Sequence, residues 1–340
     1  MFTKSIEILK QLQYPSGLFA ASNPDVSTGY HLAWIRDNVY ATLGLEAAEC
    51  YAEIKKALNA IFDILLKHEY KIDWAIKEKP KYSHQYIHPR YDPLTLEELP
   101  GNWGNKQNDS IGALLFRVGE LQEKGISIIR DENDLRVLQK LVQYLASIEY
   151  WHDKDNGMWE ENEELHASSV GACVAGLKKI RKIVDVPEEL IKKGEESLNK
   201  LLPNESETKK TDMALLSLLY PYNVVTEQQA ERILRNVEEK LVRGKGVIRY
   251  IGDKYHYKNG EAMWTKGFPW LALIYSRMNR PDKYALYMRK TMEVVNKKGE
   301  LPELYYADGK QHNENSPLAW SQSLFLAGLK ENDSQIMVDF

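Results

Sequence analysis

Two carboxylates set the chemical question in this sequence. Glu160 follows Trp159 in "GMWEENEELHASSVGACVAGL" (157–177), and Glu303 follows Pro302 in "GELPELYYADG" (299–309), with Tyr305 and Tyr306 behind it. Such a pair, far apart in the chain and flanked by aromatic residues, suits cleavage of a glycosidic bond. One carboxyl must stay protonated to donate to the leaving oxygen. The other must be ionised, either to activate water or to attack the sugar. An indole beside Glu160 would desolvate its carboxylate and raise its pKa, as an acid catalyst requires. The same stretch carries Glu161, Glu163 and Glu164. Glu163 and Glu164 read as exposed charges complementing a helix dipole.

Two further clusters mix polar and aromatic residues at helix entrances. In "GYHLAWIRDNVYATLGL" (29–45), Arg36 and Asp37 follow Tyr30 and Trp34. An Asp there serves as a helix cap, and an Arg-Asp pair equally suits vicinal sugar hydroxyls, to which each offers directional hydrogen bonds. In "GNWGNKQNDSIGALL" (101–115), Trp103 precedes Asn105, Gln107, Asn108, Asp109 and Ser110, with Asn102 before it. No phosphate-loop spacing is present there.

Composition supports an aromatic-lined polar cleft over several alternatives. The 340 residues include 20 Tyr and 8 Trp but 7 Phe, and Tyr and Trp join an apolar face to a polar handle. Net charge is −4, without basic blocks, so neither nucleic acid nor an anionic membrane is an expected partner. No window approaches the apolar length of a membrane span. Cys50 and Cys173 both lie in apolar helical patterns and read as buried thiols in a reducing, cytoplasmic setting. "MFTKSIEILKQLQYP" reads as an amphipathic helix and not a secretory leader. The histidines show no metal-binding pattern: His84 and His88 are followed by Pro89 in a tyrosine-rich loop, so neither metal nor cofactor is expected. Asp153 and Asp155 in "HDKDNG" read as a turn, and "NESETKKTD" (204–212) as a solvated loop.

The elements that must position these residues are helical. "DSIGALLFRVGELQEKG", "DENDLRVLQKLVQYLASIEYW" and "SSVGACVAGLKKIRKIV" repeat apolar residues at helical spacing. "TEQQAERILRNVEEKLV" opens with a Thr226/Gln229 capping box. Further helical runs are expected at 38–69, 187–201, 211–220, 268–278, 281–296 and 316–330. Lys245–Tyr257 is the best candidate for short strands, and 80–104 is a long irregular loop of the kind that carries function. About eleven or twelve helices with alternating short and long connections predict one all-α domain over 1–340. Its helical hairpins stack, or close into a ring with a cleft at one end.

All four clusters, in this order, resemble the catalytic domain of the glucoamylase family (glycoside hydrolase family 15). They also resemble the N-terminal domain of phosphorylase kinase α and β subunits. "YHLAWIRDNVY", "LPELYY" and "WSQSL" are similar to the kinase version, "WGNKQND" and "WEE" to the glucoamylase version. An "RY…PW" motif adds Arg249, Tyr250, Pro269 and Trp270. The resemblance implies an (α/α)6 barrel, a six-hairpin toroid, here without the N-terminal β-sandwich that bacterial and archaeal members carry. It implies inversion, with acid and base about 6.5–9.5 Å apart. Glu160 becomes the general acid, Glu303 the general base and Glu161 a substrate-binding neighbour. Arg36 and Asp37 hold hydroxyls of the terminal glucose, and Tyr30 helps hold the catalytic water. Trp34, Trp103, Arg249 and Trp270 line sugar subsites. Leu32 stands where glucoamylases tend to carry an aromatic, and "WEENEELHASS" is three residues longer than the fungal pattern.

The expected activity is therefore that of an inverting exo-acting α-glucosidase on an α-glucoside oligosaccharide. The alternatives are a non-catalytic sugar-binding or regulatory protein of the phosphorylase kinase type and, last, a helical scaffold.

Overall fold

The computed structural model describes residues 1–101 and 103–336; Asn102 lies outside them. Among the described residues twelve α-helices form: α1 (Phe2–Gln11), α2 (Ile35–Ala47), α3 (Tyr51–Lys67), α4 (Glu69–Lys77), α5 (Asn108–Glu123), α6 (Glu132–Ile148), α7 (Ala167–Ile180), α8 (Glu188–Leu201), α9 (Glu227–Lys240), α10 (Gly267–Arg277), α11 (Pro281–Met292) and α12 (Ala319–Ile336). A 3₁₀ helix spans Met213–Leu218.

Burial sorts these into two layers. Helix α2 is buried on every side from Ile35 to Leu45, and α5, α7 and α10 are buried almost as completely. A helix apolar all round belongs inside, whereas an amphipathic one covers a surface. Helices α6, α8 and α9 bury a single stripe and face water with the rest. The inner elements pack in a closed cycle: α2 on α5, α5 on α7, α7 on the 3₁₀ helix, then α10, α12 and α2 again. Outer helices alternate with them in sequence. Helix α1 covers α12, where Ser5 Oγ accepts from Gln322 Nε2 at 2.9 Å. The architecture is the (α/α)6 barrel.

Close approach of inner helices needs residues without side chains. A Cβ on Gly112 of α5 would strike the backbone of Ala172 and Cys173 on α7. Gly44 of α2 meets the backbone of Ser323 on α12 in the same way, and its N–H donates to Ser323 Oγ at 2.8 Å.

The helical periodicity was a good guide to type and a poorer one to boundaries. The run expected at 38–69 is two helices, because Glu49 takes a left-handed φ of 57° and turns the chain from the inner to the outer layer. The run at 211–220 is 3₁₀, started by Asp212, whose carboxylate accepts from Ala214 N at 2.7 Å. Lys245–Tyr257 forms isolated bridges rather than strands: Val247 pairs with Val242 and Trp264, Tyr250 with Asp212. The strands that do form are two residues long. Ala33–Trp34 (β1) pairs with Arg90–Tyr91 (β2), and Met263–Trp264 (β3) with Leu304–Tyr305 (β4). Strands β1 and β3 lead into inner helices α2 and α10, and β4 follows Glu303 directly, so these ribbons brace one end of the barrel.

Candidate active site

That end holds a cavity of about 410 Å³, within the range of small-ligand sites. Its wall comes from the segments that enter the inner elements. Trp34, Arg36 and Asp37 stand at the start of α2. Met158–Glu161 lies before α7, Lys266 before α10, and Leu318 and Trp320 at the start of α12. Tyr30, Arg90, Trp103, Arg249, Tyr255, Trp264 and Glu303 complete most of the lining. The positive ends of α2, α10 and α12 therefore face the cavity.

Glu160 sits in a turn closed by its N–H to Gly157 O, with a left-handed φ of 63°. A non-glycine residue held there stores strain that the surroundings must enforce. Arg36 Nη2 lies 3.1 Å from Glu160 Oε1. Burial nevertheless pushes the Glu160 carboxyl up to about 7, with Asp37 adding to the rise and Arg36, Gln107 and Arg90 opposing it. A carboxyl so placed keeps a proton near neutrality, as a proton donor must. The Trp159 indole packs near Trp264 and stacks on Trp320, and its Nε1 donates to Asp212 Oδ1 at 2.8 Å.

Glu161 is committed differently. Arg249 Nη2, Lys209 Nζ and Tyr250 OH all address its oxygens, at 2.8, 2.6 and 2.8 Å. Burial works to raise this carboxyl, but Arg249 and Lys209 overcome it and hold it below the usual range. Asp253 fixes the guanidinium of Arg249 through two bonds, at 2.7 and 2.6 Å.

Glu303 is fully buried, and among the described residues three donors address its carboxyl oxygens. Tyr30 OH donates to Oε1 at 2.8 Å; the side-chain amides of Asn313 and Asn315 donate to Oε2. This donor set complements a carboxylate. Tyr30 OH also meets Tyr255 OH at 2.9 Å.

Arg36 is anchored by Asp109 and Gln107 from α5 and its cap. Burial lifts the Asp37 carboxyl, opposed by Arg36 and Lys266 and assisted by Glu303. At the mouth, the Arg90 guanidinium lies 3.9 Å from the Trp103 ring centre and 5.5 Å from that of Trp34. The two rings meet edge to face, with centres 6.0 Å apart at 70°, and the cation lies against both.

Nine of the ten residues expected at the site thus line one cavity: Tyr30, Trp34, Arg36, Asp37, Trp103, Glu160, Glu161, Arg249 and Glu303. Trp270 does not. It is fully buried on α10, its Nε1 donates to Tyr220 O at 2.7 Å, and its ring packs on Tyr40 and Trp320. The ring that lines the cavity is Trp320, and Trp270 supports it from behind. The stretch 204–212 is not merely a solvated loop. Glu205, Ser206, Thr211 and Asp212 are buried, Glu205 binds Ser168 and His166, and Lys209 and Asp212 hold Glu161 and Trp159. Asp155 ties its turn to α5 by accepting from Asn108 N at 2.9 Å.

Lys266, Tyr255, Trp264, Arg90, Asn313 and Asn315 were not singled out from sequence. Asn313 and Asn315 had a signal: they alternate in "HNENS", just downstream of Glu303, and alternate residues of an extended segment share a face. Lys266 had none beyond its place before an apolar helix. Among the described residues no group of three or more His, Cys, Asp or Glu is arranged to hold a metal. No described helix is long and apolar enough to cross a membrane.

The family model "Glycosyl hydrolases family 15" matches residues 1–328. Among curated proteins, the chain is 24% identical over 377 residues to the phosphorylase b kinase regulatory subunit alpha, skeletal muscle isoform, of Oryctolagus cuniculus. That match covers 87% of this chain and 30% of the relative. The probable phosphorylase b kinase regulatory subunit alpha of Drosophila melanogaster is 25% identical over 94% of this chain and 31% of its own length. The chain thus spans about a third of the length of these relatives. Among solved structures, a wild-type glycosidase superposes with a TM-score of 0.81 at 18% identity, covering 97% of each chain. A glucoamylase from Saccharomycopsis fibuligera gives 0.70 at 15% identity, covering 97% of this chain and 94% of that one.

Proposed function

Because this chain belongs to glycosyl hydrolases family 15, we propose that it is an inverting, exo-acting α-glucosidase. It would release glucose from the non-reducing end of an α-glucoside oligosaccharide. The carrying observation is the pair of unlike carboxyls in one cavity: Glu160, pushed up to about 7, and Glu303, held by three donors. Opposite protonation states on one bond are what acid–base cleavage requires.

Glu160 gives its proton to the glycosidic oxygen as the bond to C1 breaks. Glu303, steadied by Tyr30 and the two asparagines, takes a proton from water. That water's oxygen bonds to C1 from the opposite face, so an α-glucoside yields β-glucose and a shortened alcohol. The carboxylates and fixed dipoles around the ring stabilise the oxocarbenium-like charge. Arg36 and Asp37 orient the terminal ring. Trp34, Trp103 and Arg90 offer flat faces to the sugar that leaves, and Glu161 with Arg249 forms part of the wall. Cys50 and Cys173 are unpaired, which fits work in a reducing compartment.

NMR of freshly released sugar from a panel of α-glucosides tests this reading. β-Glucose as first product supports it; a folded protein with no turnover across the panel overturns it. The similarity to kinase regulatory subunits favours a second reading, sugar binding without turnover. That reading requires calorimetric sugar binding that survives Glu303→Gln, with no hydrolysis by the parent protein.

A further inference from the structure

Lys266 is a buried cation that the catalytic scheme leaves unused. It is the N-cap residue of α10 and makes no side-chain capping bond. A positive side chain at that end of a helix opposes the dipole. Only 2% of it is exposed, yet it lines the cavity. Three indoles surround its Nζ: the ring centres of Trp320, Trp159 and Trp264 lie 3.7, 4.6 and 4.7 Å away. Two other cations of the cavity wall, Arg36 and Arg249, are spent on Asp109, Glu160, Asp253 and Glu161. Among the described residues, Lys266 Nζ has no hydrogen bond and no carboxylate within ion-pair distance; Asp37 and Glu303 act on it only at longer range.

Aromatic faces stabilise an ammonium but accept none of its hydrogen bonds well. Nζ faces the cavity with no acceptor from the protein, and an ammonium so placed is available to an acceptor that a ligand supplies. Asp37 is its complement: a carboxylate on the same cavity wall that likewise accepts no hydrogen bond from a described side chain. A sugar hydroxyl both accepts and donates.

We propose that Lys266 is a specificity-determining residue whose ammonium donates to a hydroxyl of the terminal sugar, the same hydroxyl that donates to Asp37. This rests on the reading of the cavity as a glucose site, though not on turnover. A donor-only and an acceptor-only group, both empty-handed, select a hydroxyl at one ring position. They reject a sugar that lacks it, because both groups would then stay unpaired.

The test is calorimetric binding of glucose and of 3-, 4- and 6-deoxyglucose to the parent protein, Lys266→Met and Lys266→Gln. Met keeps the length and apolar stem, and Gln restores a donor. Glucose affinity is expected to fall at least about tenfold in Lys266→Met and to recover in part in Lys266→Gln. One deoxyglucose should bind the parent and Lys266→Met equally weakly. Melting temperature should change little in Lys266→Met, since no side-chain hydrogen bond or ion pair is lost and the apolar stem is kept. An equal loss for all four sugars, unchanged glucose affinity in Lys266→Met, or no glucose binding by the parent overturns the proposal. Failure of the hydrolase reading is a separate result: glucose binds, the deoxy pattern holds, and no α-glucoside is cleaved.

Discussion

Arg36 places Nη2 3.1 Å from Glu160 Oε1, and the carboxyl still rises to about 7. An arginine at this distance ordinarily holds a carboxylate down. Here Asp109 and Gln107 share the guanidinium, while burial and Asp37 favour the neutral acid. The arginine thus fixes the position of the carboxyl without removing its proton.

A pH dependence follows. The value of kcat/KM on maltose should fall as pH rises through about 7, where Glu160 loses its proton. Lys266, which burial pushes down to about 7, titrates over the same range and should make the fall steeper than a single ionisation. Glu160→Gln should abolish turnover of maltose yet retain far more activity on α-glucosyl fluoride, whose leaving group needs no proton. Stability has a matching sign. Between the ordinary carboxylate range and about 7, the native state binds the extra proton, so its contribution is lost as pH rises through about 7. Glu160→Gln should therefore raise the melting temperature relative to the parent at pH 8 and not at pH 4.

Removing the base should cost more than removing its support. Glu303→Gln is expected to lower kcat by about 100- to 10,000-fold while glucose still binds. Tyr30→Phe removes one of the three donors and should cost about tenfold or less. Equal losses in the two variants, read from initial rates, would argue against these separate roles.

Trp270→Phe separates core from site. It deletes the bond to Tyr220 O and leaves a buried carbonyl unpaired, at a cost of about 1–3 kcal/mol readable from urea unfolding. KM for maltose should stay within error of the parent. A large rise in KM with unchanged stability would restore Trp270 to the sugar subsites.

The His166–Glu205 pair gives a second stability signature. Burial works to lower the histidine, but Glu205 and Asp155 overcome it and raise it to about 9. Its contribution is complete below the ordinary histidine range, near 6.5, and is lost as pH rises through about 9. The melting-temperature gap between the parent and His166→Asn should be widest at pH 6 and shrink by pH 9.5. A gap independent of pH would mean that packing, not charge, is what His166 contributes.

Much of this was legible in the chain itself. Helical period marks the inner and outer elements because burial leaves a stripe on one kind and covers the other. The clusters around Arg36, Trp103, Glu160 and Glu303 stand out because polar and aromatic residues break that period at helix entrances, and helix entrances are where a closed ring of hairpins gathers its loops. What the period cannot carry is which distant side chain meets which. Trp270 and Trp320 have similar local surroundings, each at the start of an apolar helix. Only closure of the barrel turned one toward the cavity and the other against Tyr220. Lys209 and Asp212 looked like solvated charges until the ring brought them onto Glu161 and Trp159. Lys266 became a cavity residue because three indoles from separate segments converge around it. Local sequence sets hydrophobic spacing and helix entry, which act within a turn or two; the charge state and partner of each site residue depend on burial and on groups far along the chain, and those exist only once the ring has closed.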